Sequence, residues 1–122
     1  MVQKTIEMFK ELVKSRLGYI PSNVELLCEK QPGAVAEFVR LYGTVMRKGA
    51  LDVKTKELIG LAVATALNCT HCMEWHTRAA LEAGATEEEI AETLAVVMLM
   101  TGGPGLITFP ETVAEILKKE RK

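Results

Sequence analysis

Apolar residues recur at intervals of three and four along almost the whole chain, and no stretch keeps the strict alternation of a half-buried strand. In the first segment, Ile6, Phe9, Val13 and Leu17 fall on one helical face, which ends at Gly18. The pattern therefore predicts an all-α protein of about six helices.

Capping residues, prolines and glycines predict where the helices begin and end. The predicted starts are Pro21, Pro32, Asp52, Asn68, Thr86 and Pro104. Thr86 with Glu89 forms the pattern of a capping box, and TGGPG at residues 101–105 interrupts the helix that follows it. A phosphate-binding loop is not expected at TGGPG, because no GK[ST] sequence follows.

Two of the predicted helices are apolar on nearly every face, LIGLAVATAL at 58–67 and the second half of TEEEIAETLAVVMLM at 86–100. A chain of 122 residues does not easily bury both by itself. We therefore expect part of this surface to lie in a subunit interface, with a tightly packed monomer as the alternative.

Length and charge narrow the class of protein. The 122 residues suit a single domain spanning 1–122, and 15 basic against 16 acidic side chains give a net charge of −1. This balance offers no electrostatic attraction to nucleic acid or to an anionic membrane. The N-terminus lacks the apolar core of a signal peptide, and no apolar run approaches the ~20 residues of a membrane span, so we predict a cytoplasmic protein.

The three cysteines do not suggest a structural disulfide framework in such a chain. Cys28 shares a helical face with Val24 and is predicted to be a small buried hydrophobic residue. The other two cysteines lie close together in the stretch NCTHCMEWH, residues 68–76.

The stretch NCTHCMEWH brings three reactive side chains to one face of its helix. With about 100° per residue, Cys72 falls near ~300° and His76 near ~340° from Cys69. Ala80 continues this face, so a close neighbour is expected to shield the thiols from water. His71 falls on the opposite, polar side.

Glu57 is one of very few ionisable residues near the apolar helix 58–67. If its carboxylate is buried, it needs a hydrogen-bonding partner, and a nearby imidazole would make the pair a general base or proton relay. Alternatively, Glu57 belongs to a solvated first helical turn, KTKE.

These residue types allow three kinds of site. A thiolate is favoured at a helix N-terminus, beside an imidazole and within a CxxC pair, and the second sulfur can capture an oxidised first sulfur as a disulfide. The same Cys69, Cys72 and His76, with His71 or water, could instead bind zinc, although structural zinc usually draws on a second ligand pair elsewhere. An inert, reduced dithiol is the third alternative.

The spacing of these residues resembles a known family signature. Glu57, eleven residues, Cys69-Thr-His-Cys72, three residues and His76 resemble the E-x11-C-x-H-C-x3-H signature of alkylhydroperoxidase D-like proteins in the carboxymuconolactone decarboxylase family. The sequence LEAGATEEEIAETLAVV resembles the usual continuation of that family, and the resemblance covers about residues 35–105.

The resemblance implies a compact all-helical domain built on a helical hairpin and assembled as a homotrimer or homohexamer. It implies thiol peroxidase or disulfide reductase activity without a metal or other cofactor. Cys72 would attack the hydroperoxide and Cys69 would close the disulfide, while Glu57 and His76 would relay protons with help from His71. Electrons would come from an external dithiol, on a lipoyl-bearing or thioredoxin-like protein.

Two alternatives stay open beside this interpretation. The family name also covers decarboxylases that do not depend on a cysteine pair. In addition, the helix dipole by itself favours Cys69, nearer the N-terminus, as the more acidic thiol, whereas the resemblance assigns the attack to Cys72. We follow the resemblance because His76 lies one turn from Cys72.

Overall fold

The computed structural model describes residues 1–121, and within that range every regular element is a helix and there is no β-strand. Its elements are α1 (Val2–Leu17), α2 (Ser22–Lys30), α3 (Pro32–Met46), α4 (Val53–Ala66), α5 (Thr70–Glu82), α6 (Glu87–Thr101), a π-helical turn (Pro104–Thr108) and α7 (Thr112–Glu120). The prediction of an all-α fold is confirmed. Lys122 lies outside the described residues.

The chain forms two compact units, of which the first runs from Met1 to Arg47. Within it α3 packs against both α1 and α2. Ile6 and Val13 are buried on the apolar face of α1, as their spacing predicts. Cys28 is buried on α2, which confirms its predicted place in the interior. Burial raises the pKa of the Cys28 thiol, which favours its protonated form.

The second unit begins at Lys48 and contains the remaining helices. Here α4 packs against α5 and α6, and α5 packs against α7. Seven buried residues form its core: Leu61, Ala64, Met73, Ala80, Ala85, Ile90 and Val113. The single-domain arrangement of 1–122 stays a prediction.

Two of the predicted caps are present in the second unit. The Asp52 side chain accepts a hydrogen bond from the Thr55 backbone N–H at 2.8 Å, at the start of α4. At the start of α6, Thr86 Oγ1 accepts from the Glu89 N–H at 3.1 Å, and Glu89 Oε1 accepts from the Thr86 N–H at 2.8 Å. Lys54, 2.9 Å from Glu89, lowers the pKa of that carboxyl together with the Thr86 N–H. The predicted capping box is therefore confirmed.

The predicted cap at Asn68 was wrong, because Asn68 ends α4 rather than beginning α5. Its φ of 57° is left-handed, a conformation that asparagine tolerates better than most residues. The Asn68 N–H donates to Thr65 O and the Cys69 N–H to Ala64 O, which is the hydrogen-bond pattern of a Schellman motif. Cys69 is the residue that caps α5.

The last helix does not begin at Pro104, as the sequence suggested. Pro104 opens only a short π-helical turn, which ends at Phe109, where the backbone is extended with a φ of −66° and a ψ of 150°. Pro110 accounts for this break, because a proline disfavours the helical conformation of the residue before it. The regular helix α7 starts afresh at Thr112.

Candidate redox site

The candidate residues lie on the helical hairpin that α4 and α5 form, with the cysteines at the connection and Glu57 and His76 further along the two helices. Leu61 on α4 and Met73 on α5 are fully buried in the core of this unit and fix the two helices against each other. Glu57 therefore comes from α4, and the cysteines and His76 come from the start and first turns of α5.

Cys69 and Cys72 are joined by a disulfide, with their Cα atoms 5.2 Å apart. Cys69 lies just outside α5 in an extended conformation, and its Sγ accepts a hydrogen bond from the Cys72 backbone N–H at 3.3 Å. The pair thus occupies the N-terminus of a 13-residue helix, where the helix dipole favours negative charge on sulfur.

The prediction that the sulfurs are shielded was wrong for this chain by itself. Cys72 is exposed and Cys69 is half-buried. The predicted helical face assumed that Cys69 is helical, whereas it caps the helix in an extended conformation. As a result, the sulfurs lie at the open end of α5 and not beneath a neighbouring helix, while Ala80 further along α5 is fully buried.

Glu57 and His76 form a hydrogen-bonded pair between the two helices. Glu57 is buried, with 4% of its surface exposed, and its Oε1 lies 2.8 Å from His76 Nδ1. A buried carboxylate needs such a partner, so the structure favours the relay interpretation of Glu57 over the solvated first turn. With Nδ1 engaged by Glu57, the Nε2 nitrogen of His76 is the one left for proton exchange.

Gly60 contributes to the site in a way that the sequence reasoning missed. A Cβ at this position would lie only 2.8 Å from both Cε1 and Nδ1 of His76, so the imidazole rests directly against the backbone of α4. A glycine in the middle of a helix lowers the stability of that helix. The presence of Gly60 inside α4 was therefore the signal in the sequence that a neighbouring group packs closely there.

His71 is directed to the polar side of α5, as its helical position predicts. Its side chain is exposed, and its Nδ1 lies 2.9 Å from Glu74 Oε1. Arg78 approaches the same carboxylate at 4.0 Å. His71 is therefore part of a charged surface cluster, and its catalytic assistance stays a prediction.

The zinc alternative gains no support from the arrangement of donors. Across residues 1–121, no three His, Cys, Asp or Glu side chains converge as a metal ion would require. Both sulfurs of the CxxC pair are engaged in the disulfide, and His76 is engaged by Glu57 through Nδ1. The donors instead form a disulfide and a separate carboxylate–imidazole pair on the same helical hairpin.

Comparison with known proteins agrees with this arrangement. The sequence model of the carboxymuconolactone decarboxylase family matches residues 32–109, so the chain belongs to that family. The match spans the α4–α5 hairpin and is consistent with an alkylhydroperoxidase D-like protein.

Relatives in three bacteria support the assignment over most of the chain. A family member from Legionella pneumophila is 32% identical, with a TM-score of 0.75 over 95% of this chain and 99% of its own. A family member from Thermotoga maritima, described with a possible involvement in the antioxidative response, is 30% identical with a TM-score of 0.67 over 91% and 93% of the two chains. An uncharacterized protein from Cupriavidus necator is 35% identical over 84% of this chain and 90% of its own.

Proposed function

We propose that this chain is a thiol-dependent peroxidase and disulfide oxidoreductase that reduces hydroperoxides with Cys69 and Cys72. The observation that carries the proposal is the disulfide at the N-terminus of α5, on the same hairpin as the buried Glu57–His76 pair. The family includes decarboxylases and alkylhydroperoxidases, and a dithiol is needed only for the second kind of chemistry.

The oxidative half of the proposed cycle begins at Cys72. Glu57 and His76 accept the thiol proton, and the Cys72 thiolate attacks the terminal oxygen of a hydroperoxide, which breaks the O–O bond. The departing alkoxide takes that proton back from His76 and leaves as an alcohol. Cys72 is then a sulfenic acid. The Cys69 sulfur attacks it, water leaves, and the disulfide forms. The exposure of Cys72 supports its role as the sulfur that meets the peroxide.

The reductive half of the cycle uses an external dithiol, on a lipoyl-bearing or thioredoxin-like protein. Two electrons from that dithiol return both cysteines to thiols. We expect the cytoplasm as the compartment, since a thiol pool is available there to keep the pair reduced. His71 is assigned an assisting role, and a homotrimer or homohexamer is the proposed functional form.

Cysteine variants test this function directly. Cys72→Ser should abolish hydroperoxide turnover with a dithiol reductant, because no sulfur would remain in the position of attack. Without the reductant and with one equivalent of hydroperoxide, Cys69→Ser should release about one equivalent of alcohol per chain and keep a sulfenic acid at Cys72, because no second sulfur can convert it to a disulfide.

Cys28→Ala serves as the control, because this sulfur is buried on α2 outside the α4–α5 hairpin. Its turnover should match that of the wild-type protein. Full residual activity in Cys72→Ser would contradict the proposal.

A further inference from the structure

The disulfide has two chemically distinct sulfurs, and the structure indicates which of them the reductant meets. We propose that the reducing thiolate attacks Cys72 Sγ and that Cys69 leaves as a thiolate at the N-terminus of α5. This inference rests on the proposed function and specifies the direction of its reductive half.

Access favours Cys72 as the sulfur under attack. Thiol–disulfide exchange requires the incoming thiolate to approach the attacked sulfur from the side opposite the departing one. Cys72 is exposed in this chain, whereas Cys69 is half-buried in the connection that closes α4. A dithiol carried on a protein or on a flexible arm therefore reaches Cys72 more readily.

The hydrogen bonding of the pair favours Cys69 as the leaving group. Cys69 Sγ already accepts a hydrogen bond from the Cys72 N–H at 3.3 Å, in the position that a capping side chain occupies. When the S–S bond breaks, the negative charge on Cys69 develops at the positive end of the 13-residue α5. Cys72 occupies the third helical position, and its own backbone N–H donates this hydrogen bond. The Cys72 sulfur therefore lacks the stabilisation by a capping hydrogen bond that Cys69 has.

The external dithiol reduces the Cys69–Cys72 disulfide in two successive thiol–disulfide exchange steps. In the first, the S–S electron pair goes to Cys69, and a new bond joins Cys72 to the incoming sulfur. In the second, the other thiolate of the dithiol attacks that incoming sulfur, closes the reductant's own disulfide and releases Cys72 as a thiolate. Two electrons pass to the protein, and two protons from the dithiol end on the cysteines. All chemistry with outside molecules then takes place at Cys72, while Cys69 reacts only with Cys72.

A monothiol can trap the first step. The oxidised wild-type protein is mixed with 2-mercaptoethanol and quenched in acid at short times, so that further exchange stops. Tandem mass spectrometry of the intact protein then locates the mixed disulfide, because backbone cleavage at Thr70 or His71 separates the two cysteines. We expect about a fivefold or larger excess of the adduct on Cys72 over Cys69.

Unfolded protein provides the matched control for this experiment. In guanidinium chloride the helix N-terminus and the difference in exposure are lost, so the adduct should divide about evenly between the sulfurs. A bias that persists in the unfolded chain would show that the fold does not direct the attack, and would overturn the inference.

The other outcomes separate this inference from the proposed function. An adduct found mainly on Cys69, or equally on both sulfurs of the folded protein, would overturn the direction proposed here and leave the peroxidase cycle standing. If neither monothiols nor dithiols opened the disulfide of the folded protein, both the direction and the reductive half of the cycle would fail.

Discussion

The hydrogen bond between Glu57 and His76 fixes the orientation of the imidazole ring. The carboxylate lies 2.8 Å from Nδ1, so in the proposed relay Nε2 is the nitrogen that would exchange a proton with the sulfur pair. The carboxylate is buried, so its hydrogen bond to the ring is protected from competition with water. The candidate site thus consists of a sulfur pair and a separate carboxylate–imidazole pair, which we propose as its proton relay.

Glu57→Gln tests the relay with a small change in shape. The amide can still hydrogen-bond to the ring but carries no charge, so the reaction of Cys72 with hydroperoxide should slow by about 100-fold. Stopped-flow measurement of alcohol or disulfide formation under single-turnover conditions gives the rate, and the melting temperature should change little. Glu92→Gln, an exposed carboxylate on α6, is the control and should react at the wild-type rate. A Glu57→Gln rate equal to that of the control would remove Glu57 from the mechanism.

The sequence predicted two of the contacts among the candidate residues. The CxxC spacing brings Cys69 and Cys72 together in the disulfide, and the pairing expected of a buried Glu57 with an imidazole is present at 2.8 Å from His76. The roles of these four residues stay a prediction. The exposure of the sulfurs was predicted wrongly, because it depends on Cys69 leaving the helical conformation. That departure is set by the end of α4, which periodicity within α5 does not describe.

The helices α4 and α5 position the relay through their close contact at Gly60. The absence of a side chain there lets the His76 ring lie against the α4 backbone, within reach of Glu57 one turn earlier. The short connection ends α4 at the left-handed Asn68 and begins α5 at Cys69. One hairpin thus places the relay on its inner surface and the disulfide at its end.

Gly60→Val tests this contact between the helices. The new Cβ and its methyl groups would displace the imidazole, so the rate of disulfide formation should fall by about 10- to 100-fold. Gly43→Val is the matched control, because Gly43 also lies in a helix and nothing lies within 4 Å of its Cβ position. Both variants make the same change in helix propensity. A comparison of their single-turnover rates therefore isolates the effect of the contact with His76. Equal rates in both would mean that Gly60 does not position His76.

The ends of the helices could be predicted from the sequence where a local capping interaction determines them. The caps at Asp52 and Thr86 follow from side-chain hydrogen bonds within one turn, and both are present. Asn68 was misplaced because asparagine suits both a helix start and a left-handed helix end, and only the packing of α4 on α5 decides between them. The break at Phe109 could have been inferred from Pro110.

The whole molecule leaves a large apolar surface uncovered in the single chain. Residues 93–110 contain no charged side chain, and the segment exposes Val96, Met98, Leu99, Met100, Leu106 and Ile107. No helix among residues 1–121 is long and apolar enough to cross a membrane. An exposed patch of this kind commonly marks an interface between proteins, which agrees with the homotrimer or homohexamer proposed above.

Light scattering tests the proposed assembly. The wild-type protein should have three or six times its chain mass of 13.4 kDa. Leu99→Glu, at a side chain that is 77% exposed, should shift the mass toward the monomer, because it places a charge in an apolar interface. Lys4→Glu, at an exposed polar position of α1, should leave the assembly unchanged. A monomeric wild-type protein would contradict the assembly.

The reaction of the reduced protein with a hydroperoxide shows whether the CxxC pair is a peroxidase site. The purified protein is fully reduced without added metal, treated with a small excess of an organic hydroperoxide, and analysed by intact mass and peptide mapping. The account predicts the loss of two hydrogens in a disulfide between Cys69 and Cys72, with one equivalent of alcohol formed and Cys28 unchanged. Survival of both thiols in the presence of the hydroperoxide would contradict the account.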